Sequence, residues 1–414
     1  MNRALVLALC LCLPAPVQAE TIREAVAAAY AGNPALAAAK ARQEALGESV
    51  EQARSAGRLI AAFEADGGYD RFDYGKGGGA TATATLPIWT GGRVRSAIRA
   101  AQGDVASGAQ GLRDTEASVL EAVVDAFANL LYDQQAVEVA KADIALLDNQ
   151  VADARARFKL GNATRTDVAR LEAQRASTGA TLAADLATLA VDGARYRAVV
   201  GHDPGVLTLM AEPPAALPGT LDQARERALA ANPLYQQSRQ AIAANSARVE
   251  QARANGRPTV SLDGAYGYDA NLAASSDRTF PRASSAGVTL RIPILTGGLI
   301  HSQVRQAQAT LQASHYDSDE AGREAILATD TAWAMLGSAR AQGEANEQGL
   351  QAADLALKGV RAEYAFGLRS TLDILVADES LRSVQLALAR NRSDLVIAQA
   401  ALLHATGQLD RDAY

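Results

Sequence analysis

The sequence predicts a mainly α-helical protein that also carries β-barrel strands, built from one unit used twice: a long helical hairpin plus two strands. Three observations predict it. The chain repeats its own phrases in order, it holds two very long segments free of proline, and short alternating segments interrupt the helical pattern in each half.

The repetition sets the frame. Residues 86–92 read Leu-Pro-Ile-Trp-Thr-Gly-Gly and residues 292–298 read Ile-Pro-Ile-Leu-Thr-Gly-Gly, a spacing of 206. Asn33-Pro34 returns as Asn232-Pro233, Glu51-Gln52-Ala53-Arg54 as Glu250-Gln251-Ala252-Arg253, and Gly68-Tyr69-Asp70 as Gly267-Tyr268-Asp269, at a spacing of 199. Gly161, Asp167 and Gly201 return as Gly367, Asp373 and Gly407 at 206 again, so one insertion falls in a loop between Asp70 and Leu86. A unit of this size that recurs is the level at which fold and function must be read. The expected division is a signal segment over 1–19, a first repeat over 20–219 and a second over 220–414.

Met1–Ala19 has the plan of a secretory signal: Arg3, the apolar run Ala4–Leu13, and Val17-Gln18-Ala19 as a cleavage site before Glu20. Cys10 and Cys12, the two cysteines of the chain, lie inside it, so disulfides and thiolate metal sites are not expected in the mature protein. Leu9 is larger than the small residue that usually precedes a lipid-anchor cysteine. No apolar stretch is long enough for a transmembrane helix. The net charge of −6 gives no support for binding nucleic acid. Aromatic residues make up only 5% while alanine abounds, which points to long helices packed through small side chains.

The helices follow in order. Thr21–Arg58 and Thr220–Gly256 open the two repeats, with Thr21 and Thr220 as N-caps. Asn33-Pro34 and Asn232-Pro233 interrupt them, because proline clashes with the preceding turn, so a kink or a fresh start is expected. Arg93–Leu160 and Leu299–Phe366 come next, and a continuous helix of that length reaches about 100 Å at 1.5 Å per residue. Helices that long must pack side by side in an elongated coiled array. Gly161 and Gly367 close them, and Thr164–Val200 and Ser370–Thr406 return as the second arms of the hairpins.

Between the first and second helices the period changes to two. Phe63, Ala65, Gly67 and Tyr69 alternate with Glu64, Asp66, Gly68 and Asp70; Val260–Tyr268 alternates with Ser261–Asp269; and Ala286–Ile294 alternates before the second Thr-Gly-Gly. Ala80–Thr85 alternates only between alanine and threonine and is the weakest strand signal. Gly77-Gly78-Gly79 reads as a flexible loop. Alternating segments of about 10 residues are what a lipid-facing barrel requires. Phe63, Tyr69, Phe72, Tyr74, Trp89, Tyr266, Tyr268 and Phe280 lie in or beside these strands, where interfacial girdles place aromatics. A soluble hairpin with one buried face shows the same alternation. If the strands do cross a bilayer, four of them cannot close a barrel, and open edges are not tolerated in lipid, so the chain must oligomerise.

The duplication, the early Asn-Pro pairs, the Pro-Ile-x-Thr-Gly-Gly junctions and two hairpin-tip phrases together resemble the TolC family of outer-membrane efflux proteins, over essentially the whole mature chain. The tip phrases run from Phe158-Lys159-Leu160-Gly161 to Asp167-Val168 and from Tyr364-Ala365-Phe366-Gly367 to Asp373-Ile374. The resemblance implies a homotrimer whose 12 strands form one barrel in the outer membrane, with the helices continuing the pore as a periplasmic tunnel. It implies a passive exit duct, docked with a periplasmic adaptor and an inner-membrane transporter of the ABC or RND type. The tip phrases are most similar to members serving type I secretion and multidrug efflux. No cofactor is implied.

For the gate, the resemblance places Tyr364 and Arg369 of the second repeat opposite Thr166 and Asp167 of the first, and puts Asp373 at the narrowest point. Where some members carry a further aspartate one turn on, this chain has Val376, which implies a less acidic constriction. Gly161, Thr164, Gly367 and Ser370 stand at the tip where an adaptor docks. Thr164-x-x-Asp167 and Ser370-x-x-Asp373 also fit capping boxes, and Gly161 and Gly367 fit helix C-caps. For Asp167 both readings stand; for Asp373 the resemblance favours the gate.

An enzyme is a poor alternative. Thr90-Gly91-Gly92 and Thr296-Gly297-Gly298 sit between a strand and a helix, as phosphate loops do, but lack the glycine and lysine pattern. His202, His301, His315 and His404 show no metal-binding spacing and are expected on the surface. A soluble periplasmic coiled-coil adaptor or scaffold remains the alternative; it leaves the four alternating strands without a purpose.

Overall fold

The computed structural model describes residues 19–70, 75–208, 217–271 and 282–413. The signal segment up to residue 18, with both cysteines, and the expected girdle aromatics Phe72, Tyr74 and Phe280 lie outside the described residues. The same series of elements occurs twice. The first is β1 (Glu20–Thr21), α1 (Ile22–Gly32), α2 (Pro34–Ser55), β2 (Ile60–Asp70), β3 (Gly75–Trp89), α3 (Arg93–Lys159) and α4 (Arg165–Val200). The second is β4 (Leu207–Thr208), α5 (Leu221–Ala231), α6 (Pro233–Ala254), β5 (Thr259–Asn271), β6 (Arg282–Arg291), α7 (Leu299–Ala365) and α8 (Thr371–Ala405). Both α3 and α7 are 67 residues long, about 100 Å at 1.5 Å per residue. No described helix is long and apolar enough to cross a membrane.

Local signals explain the boundaries. Thr21 caps α1 in a reciprocal capping box with Glu24. At both Asn-Pro pairs a fresh helix starts at the proline, whose missing N–H is harmless in a first turn. The Asn232 side chain accepts from the Tyr235 amide at 3.0 Å, capping α6. The repeated Thr-Gly-Gly has one structural role: Gly91, Gly92, Gly297 and Gly298 all have positive φ, between 58° and 90°. This left-handed pair turns the chain out of the sheet region so that Gly92 and Gly298 carbonyls accept the first helical bonds, from Ser96 and Ser302.

Two compact units divide the chain, and each draws on both repeats. The first comprises residues 1–34, 116–221 and 330–414. Its core joins Ile22 and Val26 of α1, Leu120, Val123 and Phe127 of α3, Tyr196 of α4 and Leu403 of α8. The parallel pair β1–β4 lies at its edge, and the Tyr196 hydroxyl donates to Glu20 at 2.5 Å. Three histidines are exposed as expected, but His404 is half-buried. Its Nδ1 lies 2.5 Å from Glu121 of α3, because α8 packs that turn onto the core rather than into water.

The second unit comprises residues 35–115 and 222–329 and holds the four-stranded antiparallel sheet, in the order β2-β3-β5-β6. Register fixes its faces. Phe63, Ala82, Tyr266 and Ser284 form one row; Leu86, Leu262 and Val288 another; Trp89, Val260 and Leu290 a third. Glu64, Asp66, Thr81, Thr83, Thr85 and Asp263 fall on the opposite face, where the Thr85 hydroxyl donates to Asp263 at 3.0 Å. The apolar face is bare: Phe63 is 73% exposed and Val288 66%.

One weak strand expectation holds and two others need correction. Ala80–Thr85, the weakest signal, lies within the longest strand, because β3 is central and hydrogen-bonds to both neighbours. Gly77-Gly78-Gly79 is strand rather than loop, paired with Gly68, Gly67 and Asp66. A Cβ on Gly78 would stand 3.2 Å from the Asp66 carbonyl, so glycine permits the close pairing there. In the second repeat the strand ends at Arg291 instead of continuing to Ile294, since Pro293 has no N–H to donate. The equivalent Pro87 stays within β3 only through a register shift between Pro87 and Trp89.

Candidate gate at the hairpin tips

The two hairpin tips belong to the first unit, and the same backbone device shapes both. At the first tip, Gly161 has φ 79° and its amide donates to the Phe158 carbonyl at 3.0 Å, while Asn162 reaches back to Arg157 at 2.9 Å. At the second, Gly367 has φ 77° and donates to Tyr364 at 2.9 Å, while Leu368 reaches back to Glu363 at 3.0 Å. These are glycine C-caps that satisfy the last carbonyls of α3 and α7.

The return helices start with matching caps. Thr164 Oγ1 accepts from the Asp167 amide at 3.2 Å and the Thr164 amide donates to Asp167 Oδ2 at 2.9 Å. Ser370 and Asp373 repeat the exchange at 3.4 and 2.8 Å. Hydrogen bonds from the Thr164 side chain and backbone hold the Asp167 carboxyl below the usual carboxylate range. The Ser370 backbone and side chain do the same for Asp373, helped by the charge of Arg369. Both aspartates are therefore caps within one chain, and both keep their charge.

The side chains on this shared scaffold differ. Arg369 donates through Nε to Glu363 at 2.6 Å, and that bond, with the charges of Glu363 and Asp373, raises the already high pKa of its guanidinium. The Arg157 guanidinium stands over the Tyr364 ring, 5.4 Å from its centroid. Among the described residues no hydrogen bond or ion pair joins Arg369 to Asp167. Tyr364, Arg369, Asp167, Gly367 and Ser370 nevertheless line one cavity of about 390 Å³ between the two hairpins, together with Arg157. Asp373 and Val376 line a different groove, between α7 and α8, which also reaches Arg369. Arg369 thus borders both. Thr166 is exposed, and neither it nor Thr164 lines either space.

One acid and three ion pairs went unpredicted. Glu363 sits in the last turn of α7, where the helix dipole disfavours an acid; that misplacement was the available signal. Arg361 pairs with Asp378 at 3.2 Å, and the residues 206 positions earlier, Arg155 and Glu172, pair at 3.0 Å. The duplication alone could have matched these two pairs. Arg382, largely buried, stands 3.0 Å from Asp143 at angles short of a hydrogen bond. Burial raises the Asp143 carboxyl above its ordinary value, against the pull of Arg382. This link joins α3 to α8, and only folding brings its partners together.

Four strands with a bare apolar face and long helical hairpins with charged tips are the parts of a membrane channel protein. The chain belongs to the outer membrane efflux protein family, whose model matches residues 25–201 and 224–408. It is 33% identical over 396 residues to the outer membrane efflux protein BepC of Brucella suis biovar 1 (strain 1330), covering 95% of this chain and 86% of that one. It is 27% identical over 321 residues to the alkaline protease secretion protein AprF of Pseudomonas aeruginosa, covering 72% and 63%. The fold matches the crystal structure of the outer membrane protein VceC from Vibrio cholerae with a TM-score of 0.77 at 22% identity, over 93% of this chain and 96% of that one. It is therefore an outer-membrane channel with a periplasmic tunnel, and the soluble adaptor reading falls away.

Proposed function

We propose that three copies of this chain share one 12-stranded barrel, after removal of residues 1–19, and that the trimer is the exit duct of a tripartite efflux or type I secretion system. The observation that carries this reading is the sheet. Its apolar face is exposed, and β2 and β6 each leave an edge unpaired within the chain. Lipid satisfies the first feature, and only neighbouring copies can satisfy the second. The opposite face, with Glu64, Asp66 and Asp263, then lines the lumen.

In this reading Arg369, Tyr364, Thr166 and Asp167 form the closing contacts of the tip, and Asp373 supplies the ring of carboxylates at the constriction. Support comes from the cavity that gathers Tyr364, Arg369 and Asp167 and from the lowered pKa that keeps Asp373 charged. Gly161, Thr164, Gly367 and Ser370 fix the tip turns, and the exposed Leu160, Phe366 and Leu368 beside them offer apolar contacts to a periplasmic adaptor. An inner-membrane transporter, of the ABC or RND type, supplies the energy. Purified protein added to a planar lipid bilayer is expected to give uniform conductance steps. Repeated insertion trials without any step would reject the duct.

A further inference from the structure

The sheet keeps its described acids on one face. Glu64, Asp66 and Asp263 all stand on the polar face. On the apolar face the register places Arg282 in the row Ala65–Ala80–Tyr268–Arg282. No acid occupies that face at any described strand position. That row lies at the end away from the helix junctions, next to the β2–β3 and β5–β6 connections. The opposite end of the same face finishes in Trp89, Val260 and Leu290.

The distance between the two ends fits a membrane. From Val260 to Tyr268 the strand rises about 27 Å at 3.4 Å per residue. Tilted by about 45°, that becomes about 20 Å, close to the apolar band of an outer-membrane barrel. Arg282 therefore stands at one boundary of the hydrocarbon, on the side away from the periplasmic helices.

Its surroundings leave the charge unanswered. Arg282 is exposed, and its guanidinium lies 5.6 Å from the centroid of the Tyr268 ring. Tyr268 in turn meets Tyr266 edge to face, with centroids 6.0 Å apart. Among the described residues no carboxylate pairs with Arg282. Its N–H donors form a planar fork that matches phosphate oxygens two at a time.

We propose that Arg282, backed by Tyr268, binds the phosphate of an outer-leaflet lipid headgroup while the apolar rows beneath it contact the acyl chains. A trimer then carries three such sites, one per chain. The site rests on the barrel reading, since a sheet outside the membrane has no leaflet beside Arg282.

Native mass spectrometry of the detergent-extracted protein tests this, with three probes: diphosphorylated lipid A, its dephosphorylated form, and inorganic phosphate. Wild type is expected to hold the phosphorylated lipid about tenfold more tightly than the dephosphorylated one. Arg282→Gln should lose that preference, and Arg282→Lys should recover part of it, as a point charge does. Millimolar inorganic phosphate should not displace the lipid, because it lacks the acyl contacts. Unchanged lipid retention in Arg282→Gln would overturn the proposal, and so would displacement by inorganic phosphate. Conductance and trimer mass are read on the same samples. Arg282→Gln should keep both, whereas a wild-type protein lacking both overturns the barrel reading and this site with it.

Discussion

The two hairpin tips have the same backbone and different side chains. Gly161 and Gly367 differ in φ by only 2° (79° against 77°), and the caps Thr164–Asp167 and Ser370–Asp373 make the same exchange of hydrogen bonds. At the positions related by 206, however, Ala163 stands for Arg369, Arg157 for Glu363 and Phe158 for Tyr364. Duplication has kept the residues that fix the turn and varied others beside them. The turn-fixing chemistry of the tips is thus shared, while Glu363, Tyr364 and Arg369 occur at the second tip only.

The largest expected effect breaks that asymmetry. Arg369→Ser removes the bond to Glu363 and the positive charge near Asp373 and should raise single-channel conductance several-fold, while Ala163→Ser at the matching position should leave it unchanged. Equal responses from the two tips would end the distinction.

The next effect lies higher in the hairpins. Asp133 of α3 is buried beside Asp192 of α4, and burial together with that second carboxyl pushes its pKa up to about 7. The duplicated positions hold Ala339 and Ala398, both buried, so only the first hairpin carries this group. A carboxyl whose folded pKa is raised keeps its proton while the unfolded chain loses it. Its contribution is full below about pH 4, falls as pH rises towards 7, and is flat above that. Asp133→Asn should therefore gain on wild type through that window, by on the order of 2 kcal/mol, in denaturant unfolding at a series of pH values. A constant difference across the window would refute the raised pKa of Asp133.

A smaller effect should be equal at both tips. Thr164→Ala and Ser370→Ala each remove one N-cap and should each cost about 1 kcal/mol in denaturant unfolding, with conductance little changed. A much larger loss at one tip would show that its cap does more than start a helix. Smallest of all is the response to divalent cations. With Val376 one turn beyond Asp373, millimolar divalent cations should barely alter the conductance, and Val376→Asp should introduce a block. Strong block of the unaltered protein would contradict a constriction with one aspartate per chain.

Much of this was legible in the sequence, where the controlling interactions are local. The Asn-Pro restarts, the Thr-Gly-Gly turns and the tip caps each depend on residues within a few positions of one another. The glycine run 77–79 misled because turn propensity is local, whereas its pairing with Asp66–Gly68 depends on the register of a neighbouring strand. Ala80–Thr85 gave a weak signal for a related reason: small side chains carry little pattern, yet the central position in the sheet supplies bonds on both sides. At the hairpin tips, family resemblance singles out Tyr364, Arg369 and Asp167, and these three line one cavity. Arg157 over Tyr364 and Arg382 beside Asp143 were not found, since each joins residues more than 200 positions apart.

The central claim is that one chain supplies only a third of a barrel. Native mass spectrometry of protein extracted from outer membranes in mild detergent tests it most directly. The account predicts one species of three mature chains that survives extraction. A monomer, or a protein released with the soluble periplasmic contents, would contradict it, because four strands with two open edges cannot stand alone in lipid.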